Sequence, residues 1–102
     1  MAVAIEMNFK GATLEQYDQV MQLMGLTGNA EPPAGAIFHW AAPVENGIVV
    51  VDVWESDEQF NRFAEEQIGP YTAQVGIEGP PKTTRFEVHN MLGAPTGAAA
   101  VS

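Results

Sequence analysis

Residues 3–9 alternate strictly, with Val3, Ile5, Met7 and Phe9 on one face and Ala4, Glu6 and Asn8 on the other. A period of two predicts a strand. Gly11 breaks it, and Thr13 with Gln16 three positions later has the form of a capping box. Leu14, Tyr17, Val20, Met21 and Met24 then recur at helical spacing, opposite Glu15, Gln16, Asp18, Gln19 and Gln22. That pattern predicts an amphipathic helix, with Gly25 just past its end. Residues 26–35 hold Gly28, Asn29, Pro32, Pro33 and Gly35 and read as a loop. A second strand is expected over Ala36–Pro43. Asn46-Gly47 follows as a two-residue hairpin loop of type I′, and Ile48–Glu55 makes the third strand. Ser56 with Gln59 repeats the capping box, and Asp57 and Glu58 suit the positive end of a helix. Phe60, Phe63, Ala64 and Ile68 form its buried stripe, Gly69-Pro70 stops or kinks it, and Tyr71–Val75 offers one more turn. After Gly79-Pro80-Pro81, Thr83–Met91 reads as the last strand. The small-residue tail over 93–102 has no pattern of its own and is expected to fray.

The order β-α-β-β-α-β defines a ferredoxin-like α+β domain over residues 1–92. Right-handed crossovers place both helices on one face of a four-stranded antiparallel sheet with strand order 4-1-3-2. Both sheet faces read as apolar: Val49, Val51 and Val53 lie on one side of the third strand, Ile48, Val50 and Trp54 on the other. The face carrying Val3, Ile5, Met7 and Phe9 is a candidate for packing against a second copy. An apolar sheet face left in water is a patch of the size that monomers rarely expose. Neither the 26–35 loop nor the tail holds enough large apolar residues to cover it, so a homodimer built sheet against sheet is expected.

Composition narrows the function classes. No cysteine occurs, which excludes disulfides, thiolate nucleophiles and Cys-ligated zinc. The formal charge is −9, with only Lys10, Arg62, Lys82 and Arg85 basic, so a nucleic acid would be repelled. No apolar run approaches the ~20 residues of a membrane span, and the first ten residues lack signal-peptide form. Neither nucleic acid nor membrane is therefore an expected partner, and a cytoplasmic location is the default expectation. Walker loops, G-x-G-x-x-G, G-x-S-x-G and H-E-x-x-H are all missing from the sequence. The two histidines fall on opposite edge strands, which does not provide the three or four convergent ligands of a metal site.

Candidate chemistry comes from the hairpin. With Asn46-Gly47 as the loop, Ala41 opposes Asp52 and His39 opposes Trp54, so His39, Asp52 and Trp54 share a sheet face. Direct pairs stand about 4.5–5.5 Å apart at Cβ and diagonal ones about 7–8 Å. His39 then reads as a base oriented by Asp52, beside Trp54 as an aromatic wall for a flat substrate. A polar cluster at a sheet edge without any reaction is the alternative. Glu6 and Asn8 look toward the helices if Val3, Ile5, Met7 and Phe9 form the dimer face, which would suit a ligand cavity. Tyr17 and Tyr71 could each supply a hydroxyl, although a tyrosine in a helical stripe is more often core with a hydrated tip. His89, with Arg85 and Glu87, is a weaker candidate.

The element order, the segment IVVVDVWESDEQFNRF over residues 48–63 and the closing FEVHNML over 86–92 resemble the dimeric α/β-barrel superfamily. Its antibiotic-biosynthesis-monooxygenase-like branch is the most similar. The resemblance implies two sheets closing a barrel across a two-fold axis, with a pocket in each subunit between sheet and helices. Some members oxidise polycyclic aromatic compounds with O₂ and no prosthetic group. Others degrade haem, isomerise or cyclise small molecules. The haem-degrading branch carries an asparagine on the first strand, and a tryptophan and a histidine on the second helix. Ala4, Phe63 and Ala73 stand at those positions here, so haem degradation is not expected, nor is any cofactor. The expected function is small-molecule binding, with cofactor-independent oxygenation of an aromatic or polyketide-like compound as the reaction. The alternatives are a non-catalytic ligand-binding or stress-related protein, a cyclase or isomerase of the same fold, or a purely structural dimer module with no cavity. His39 and Asp52 are the catalytic candidates, and Trp54, Glu6, Asn8, Tyr71 and Phe63 the binding candidates.

Overall fold

A computed structural model describes residues 2–93. The chain runs β1 (Val3–Lys10), α1 (Leu14–Met24), β2 (Ala36–Val44), β3 (Gly47–Trp54), α2 (Asp57–Phe63), a π-helical segment (Ala64–Ile68), α3 (Gly69–Gln74) and β4 (Lys82–Glu87). The strands form one antiparallel sheet ordered β2-β3-β1-β4. This is the expected order read from the other edge, and the topology is ferredoxin-like. Most of the tail expected over 93–102 lies outside the described residues.

Local chemistry sets the helix starts. Thr13 caps α1 reciprocally with Gln16, its side chain accepting from the Gln16 N–H at 3.1 Å while Gln16 Oε1 accepts from the Thr13 N–H at 3.0 Å. Gly25 closes α1 at φ 73°, a conformation that favours glycine. Ser56 caps α2 by accepting from the Gln59 N–H at 3.3 Å. Of the two outcomes expected at Gly69-Pro70, a stop or a kink, the helix does not stop, and Tyr71 lies in one more turn. The Gly69 N–H bonds back five residues to the Ala64 carbonyl, which widens the turn just ahead of Pro70. Pro70 has no N–H to give and its ring would crowd a normal turn. A π-turn before it lets α2 run on into α3.

The main core cluster lies on the helix-covered side of the sheet. Ile5, Met7, Phe9, Ile48, Val50 and Trp54 pack with Val20 of α1, Phe60 of α2 and Ile68 of the π-helical segment. The face holding Val3, Ile5, Met7 and Phe9 is therefore the helix-covered side. It is not a free face for a second copy, as one reading of the alternation had it. Glu6 and Asn8 accordingly point away from the helices. The uncovered side holds Val49 and Val51, with Trp40 44% and Phe86 55% exposed at its two edges.

The hairpin register differs from expectation by two residues. Val44 pairs with Gly47, so Glu45-Asn46 is the loop. Of these only Asn46 is left-handed, at φ 65°. Gly47 serves another purpose, because a Cβ there would sit 2.3 Å from the Phe9 carbonyl oxygen. Its lack of a side chain lets β1 and β3 close up at the turn. Since the shift is an even number, Phe38 to Val44 keep their faces, while a bulge between Ala36 and Phe38 sets Ala36 opposite Trp54. The last strand also ends early, at Glu87 rather than Met91, which leaves His89 exposed beyond it. Arg85 on β4 is tied to α2 through the Asp57 carboxylate and, at 2.6 Å, Asn61 Oδ1. Its guanidinium lies 5.3 Å over the Phe60 ring.

Candidate active site

Backbone pairing puts His39, Asp52, Ile5 and Arg85 in one row across the helix-covered face. His39 stands directly opposite Asp52, and Trp54 follows two residues on along β3. The three side chains meet. His39 Nδ1 lies 2.6 Å from Asp52 Oδ1, and the Trp54 indole N–H donates to Asp52 Oδ2 at 3.1 Å. Asp52 is 5% exposed. A carboxylate so buried requires partners on both oxygens, and it has them. An ionised carboxylate only accepts, which makes His39 Nδ1 the protonated ring nitrogen and Nε2 the free lone pair.

That lone pair is occupied. The Tyr17 hydroxyl, reaching down from α1, lies 2.5 Å from His39 Nε2. The two rings are nearly parallel, with an interplanar angle of 7°. With Nε2 unprotonated, the phenol donates and the imidazole accepts. The result is one directed chain in which Trp54 N–H and His39 Nδ1–H both donate to Asp52, and Tyr17 O–H donates to His39. Burial first, then the charges of Asp52 and Asp18, push the Tyr17 phenol up to about 12. Tyr17 is therefore a neutral donor at ordinary pH.

The chain opens into a cavity of about 670 Å³ between sheet, α1 and the 26–35 loop. Met7 and Phe9 form its floor, Met21 and Met24 one wall, Trp54 and Phe63 another, and Leu26, Pro32 and Pro33 its loop side. Among the described residues its ionisable lining groups are Tyr17, His39 and Asp52, and no Lys or Arg lines it. Thr72, buried in the wall, spends its hydroxyl on the Ile68 and Gly69 carbonyls at 2.6 and 3.2 Å. The Trp54 ring is fixed from behind by Phe60 and Phe63, with centroids 6.0 and 5.1 Å away. Such a cavity is apolar with one polar end, the usual form of a small-molecule site.

The structure thus brings together His39, Asp52, Trp54 and Phe63 and leaves out the other three. Tyr71 packs at the margin of the core and does not line the cavity. Glu6 and Asn8 are on the opposite sheet face, bonded to each other at 3.1 Å. Their displacement follows from which side the helices cover. Tyr17 is the member that the helical stripe concealed. Among the described residues no group of three or more His, Cys, Asp or Glu is placed to hold a metal ion, and no helix is long and apolar enough to cross a membrane.

Solved structures share this architecture. Rv0793 from Mycobacterium tuberculosis superposes with a TM-score of 0.66 at 14% identity, over 90% of this chain and 99% of that one. SnoaB, a cofactor-independent oxygenase from Streptomyces nogalater, does so with a TM-score of 0.57 at 16% identity, over 90% and 96%. A candidate antibiotic biosynthesis monooxygenase from Chloroflexus aurantiacus matches over the full length of both chains, at 15% identity and a TM-score of 0.57. The chain has the antibiotic-biosynthesis-monooxygenase-like fold. No protein-family model matches the sequence, and no curated protein is detectably similar to it. At these identities the antibiotic-biosynthesis-monooxygenase-like likeness is one of fold, and the site has to be argued from its own residues.

Proposed function

We propose that this protein is a cofactor-independent oxygenase of a flat, neutral aromatic or polyketide-like compound, with the His39–Asp52 pair as its base. The observation that carries the reading is the Tyr17–His39–Asp52–Trp54 chain ending in an apolar cavity with no cation in its lining. A buried carboxylate holds the imidazole in one tautomer and stabilises the cation formed when it takes a proton. A neutral substrate with an acidic C–H or phenolic O–H would lose that proton to the pair. The delocalised anion would then react with O₂. For a methylene flanked by aromatic rings the balance is R₂CH₂ + O₂ → R₂C=O + H₂O. Trp54 and Phe63 supply the stacking surfaces. The fold shared with a cofactor-independent oxygenase supports the same reading.

The direct test measures O₂ uptake with an anthrone as probe. His39→Ala is expected to lower kcat by about 10²–10⁴-fold, the usual worth of a positioned base. Unchanged turnover in that variant removes the imidazole from the mechanism. Binding of the probe by the native protein without any turnover would favour a ligand carrier.

We also propose that the working unit is a homodimer joined through the uncovered sheet face. Trp40, Val49, Val51 and Phe86 give that face apolar ground on either side of the Glu6–Asn8 pair, and two of these four are exposed large side chains. Native mass spectrometry at micromolar concentration is expected to show a dimer, and Trp40→Asp to convert it to monomer. A native protein that is monomeric under those conditions would contradict the proposal.

A further inference from the structure

Each carboxylate oxygen and each ring nitrogen of the buried chain already has one partner. Asp52 Oδ1 accepts from His39 and Oδ2 from Trp54. His39 Nδ1 is spent on Asp52, and Nε2 on the Tyr17 hydroxyl. Among the described residues no other side chain hydrogen-bonds the Tyr17 oxygen, and Tyr17 lines the cavity. A ligand entering that cavity therefore finds the imidazole nitrogen already occupied. Asp52 is buried behind His39 and Trp54, whereas Tyr17 is only half-buried and its oxygen accepts from no side chain among the described residues, so the phenolic oxygen is the acceptor that ligand meets.

We infer that Tyr17 is the group that meets the substrate, and that it relays the substrate's proton to His39. This rests on the acid–base reading of the site given above. The substrate X–H bond breaks as its proton joins the Tyr17 oxygen, while the proton Tyr17 held passes to His39 Nε2. The products are the substrate anion, a neutral phenol and an imidazolium paired with Asp52. No electron pair leaves the substrate in this step, and nothing is oxidised. The new Tyr17 O–H points at the anion it has just created and donates to it, with the imidazolium behind it. The high proton affinity of the Tyr17 oxygenate suits this role, because the phenol then passes charge along without holding it. Tyr17 is a catalytic residue in this scheme, and His39 acts through it.

The test uses the full-length native protein, Tyr17→Phe, His39→Ala and the double variant, with two readouts. The first is binding of 4-nitrophenol, whose absorption moves to longer wavelength on ionisation. In the native protein the bound probe is expected to be ionised more readily than in water. Tyr17→Phe removes the hydrogen bond to the anion and is expected to reduce the ionised-to-neutral ratio by about tenfold or more, in line with a bond to a charged group. His39→Ala should do the same, and the double variant should be no worse than the more severe single one, since the pair acts as a unit. The second readout is kcat with the anthrone. Tyr17→Phe should lower it by about 10²-fold with KM within about threefold, and the curved proton inventory of the native enzyme should become linear.

Ionisation that survives Tyr17→Phe but falls in His39→Ala would make His39 the direct base and Tyr17 a mere cover, and so overturn the relay. So would a kcat that holds or rises in Tyr17→Phe. Failure of the native protein to bind or ionise the phenol overturns it as well. An absence of anthrone turnover in every variant, with the ionisation pattern intact, instead sinks the oxygenase reading and leaves the relay standing.

Discussion

Trp54→Ala is expected to destabilise the protein by about 3–5 kcal/mol, the usual loss on truncating a large core aromatic. Trp54 is 2% exposed and sits where the strand sheet, α2 and the cavity wall join. Its ring touches both Phe60 and Phe63. Removing it leaves a void lined by those two rings and strips Asp52 Oδ2 of its donor. A buried carboxylate oxygen left without a partner adds to the cost of the void. Total stability for a domain of this size is about 5–15 kcal/mol, so one substitution takes a fifth or more of it. On the scale of about 4–8 °C per kcal/mol, the melting temperature should fall by roughly 12–40 °C. Trp54→Phe restores most of the bulk without the N–H and should cost about 1–2 kcal/mol, largely the unmet hydrogen bond. Thermal and urea melts at one fixed protein concentration separate the two, since a dimer's melting point moves with concentration. A loss below about 1 kcal/mol for the alanine variant would mean that the wall and the core do not depend on this ring.

The same residue shows where sequence reasoning succeeds. Trp54, Asp52 and Val50 alternate along β3, and His39 keeps its face under any even shift of the hairpin. The grouping of these side chains thus survived a register wrong by two residues. Asn46 and Gly47 are both able to take positive φ, and sequence alone does not say which of them closes the loop. Contact between Gly47 and the Phe9 carbonyl decides it, and that contact is long-range. Glu6 and Asn8 were misplaced for a related reason. Both sheet faces are apolar, and alternation along β1 does not say which one the helices cover. Tyr17 is legible as a possible hydroxyl but not as a site residue, because a tyrosine at helical spacing reads as packing. A signal did exist: the crossover from β1 to β2 carries α1 over the sheet toward the β2 edge, and a tyrosine on its inner stripe can reach a histidine on β2. The further turn after Pro70 is legible, but not the widened turn that absorbs the missing N–H of Pro70 and joins α2 to α3, which composition does not announce.

Asp52→Asn should be the most damaging near-isosteric change to turnover, and the reason lies in counting donors. Asp52 accepts from two N–H groups, one from His39 and one from Trp54. An asparagine has a single acceptor oxygen and an NH₂ that can only donate. If the oxygen stays with the Trp54 indole, whose nitrogen has no other tautomer to adopt, the NH₂ faces His39 Nδ1. That nitrogen must then give up its proton and become an acceptor. The proton moves to Nε2, which now donates to the Tyr17 oxygen, and the two bonds that His39 makes both reverse direction. An imidazole protonated on the cavity side has no lone pair there to receive a substrate proton. The comparable change in hydrolase triads, where it also enforces the wrong tautomer, costs on the order of 10⁴ in kcat, and a loss of about 10³–10⁴-fold is expected here. Stability should move by only about 1–2 kcal/mol, because the asparagine fills the same space and the Trp54 bond persists. Nitrogen NMR of the His39 ring reads the tautomer directly, independent of any substrate. A kcat within a few fold of the native value would show that the carboxylate does not orient the base. A reversed tautomer with lost turnover and an intact fold would tie the reaction to the direction of this hydrogen-bond chain, which bulk, burial and packing leave unchanged.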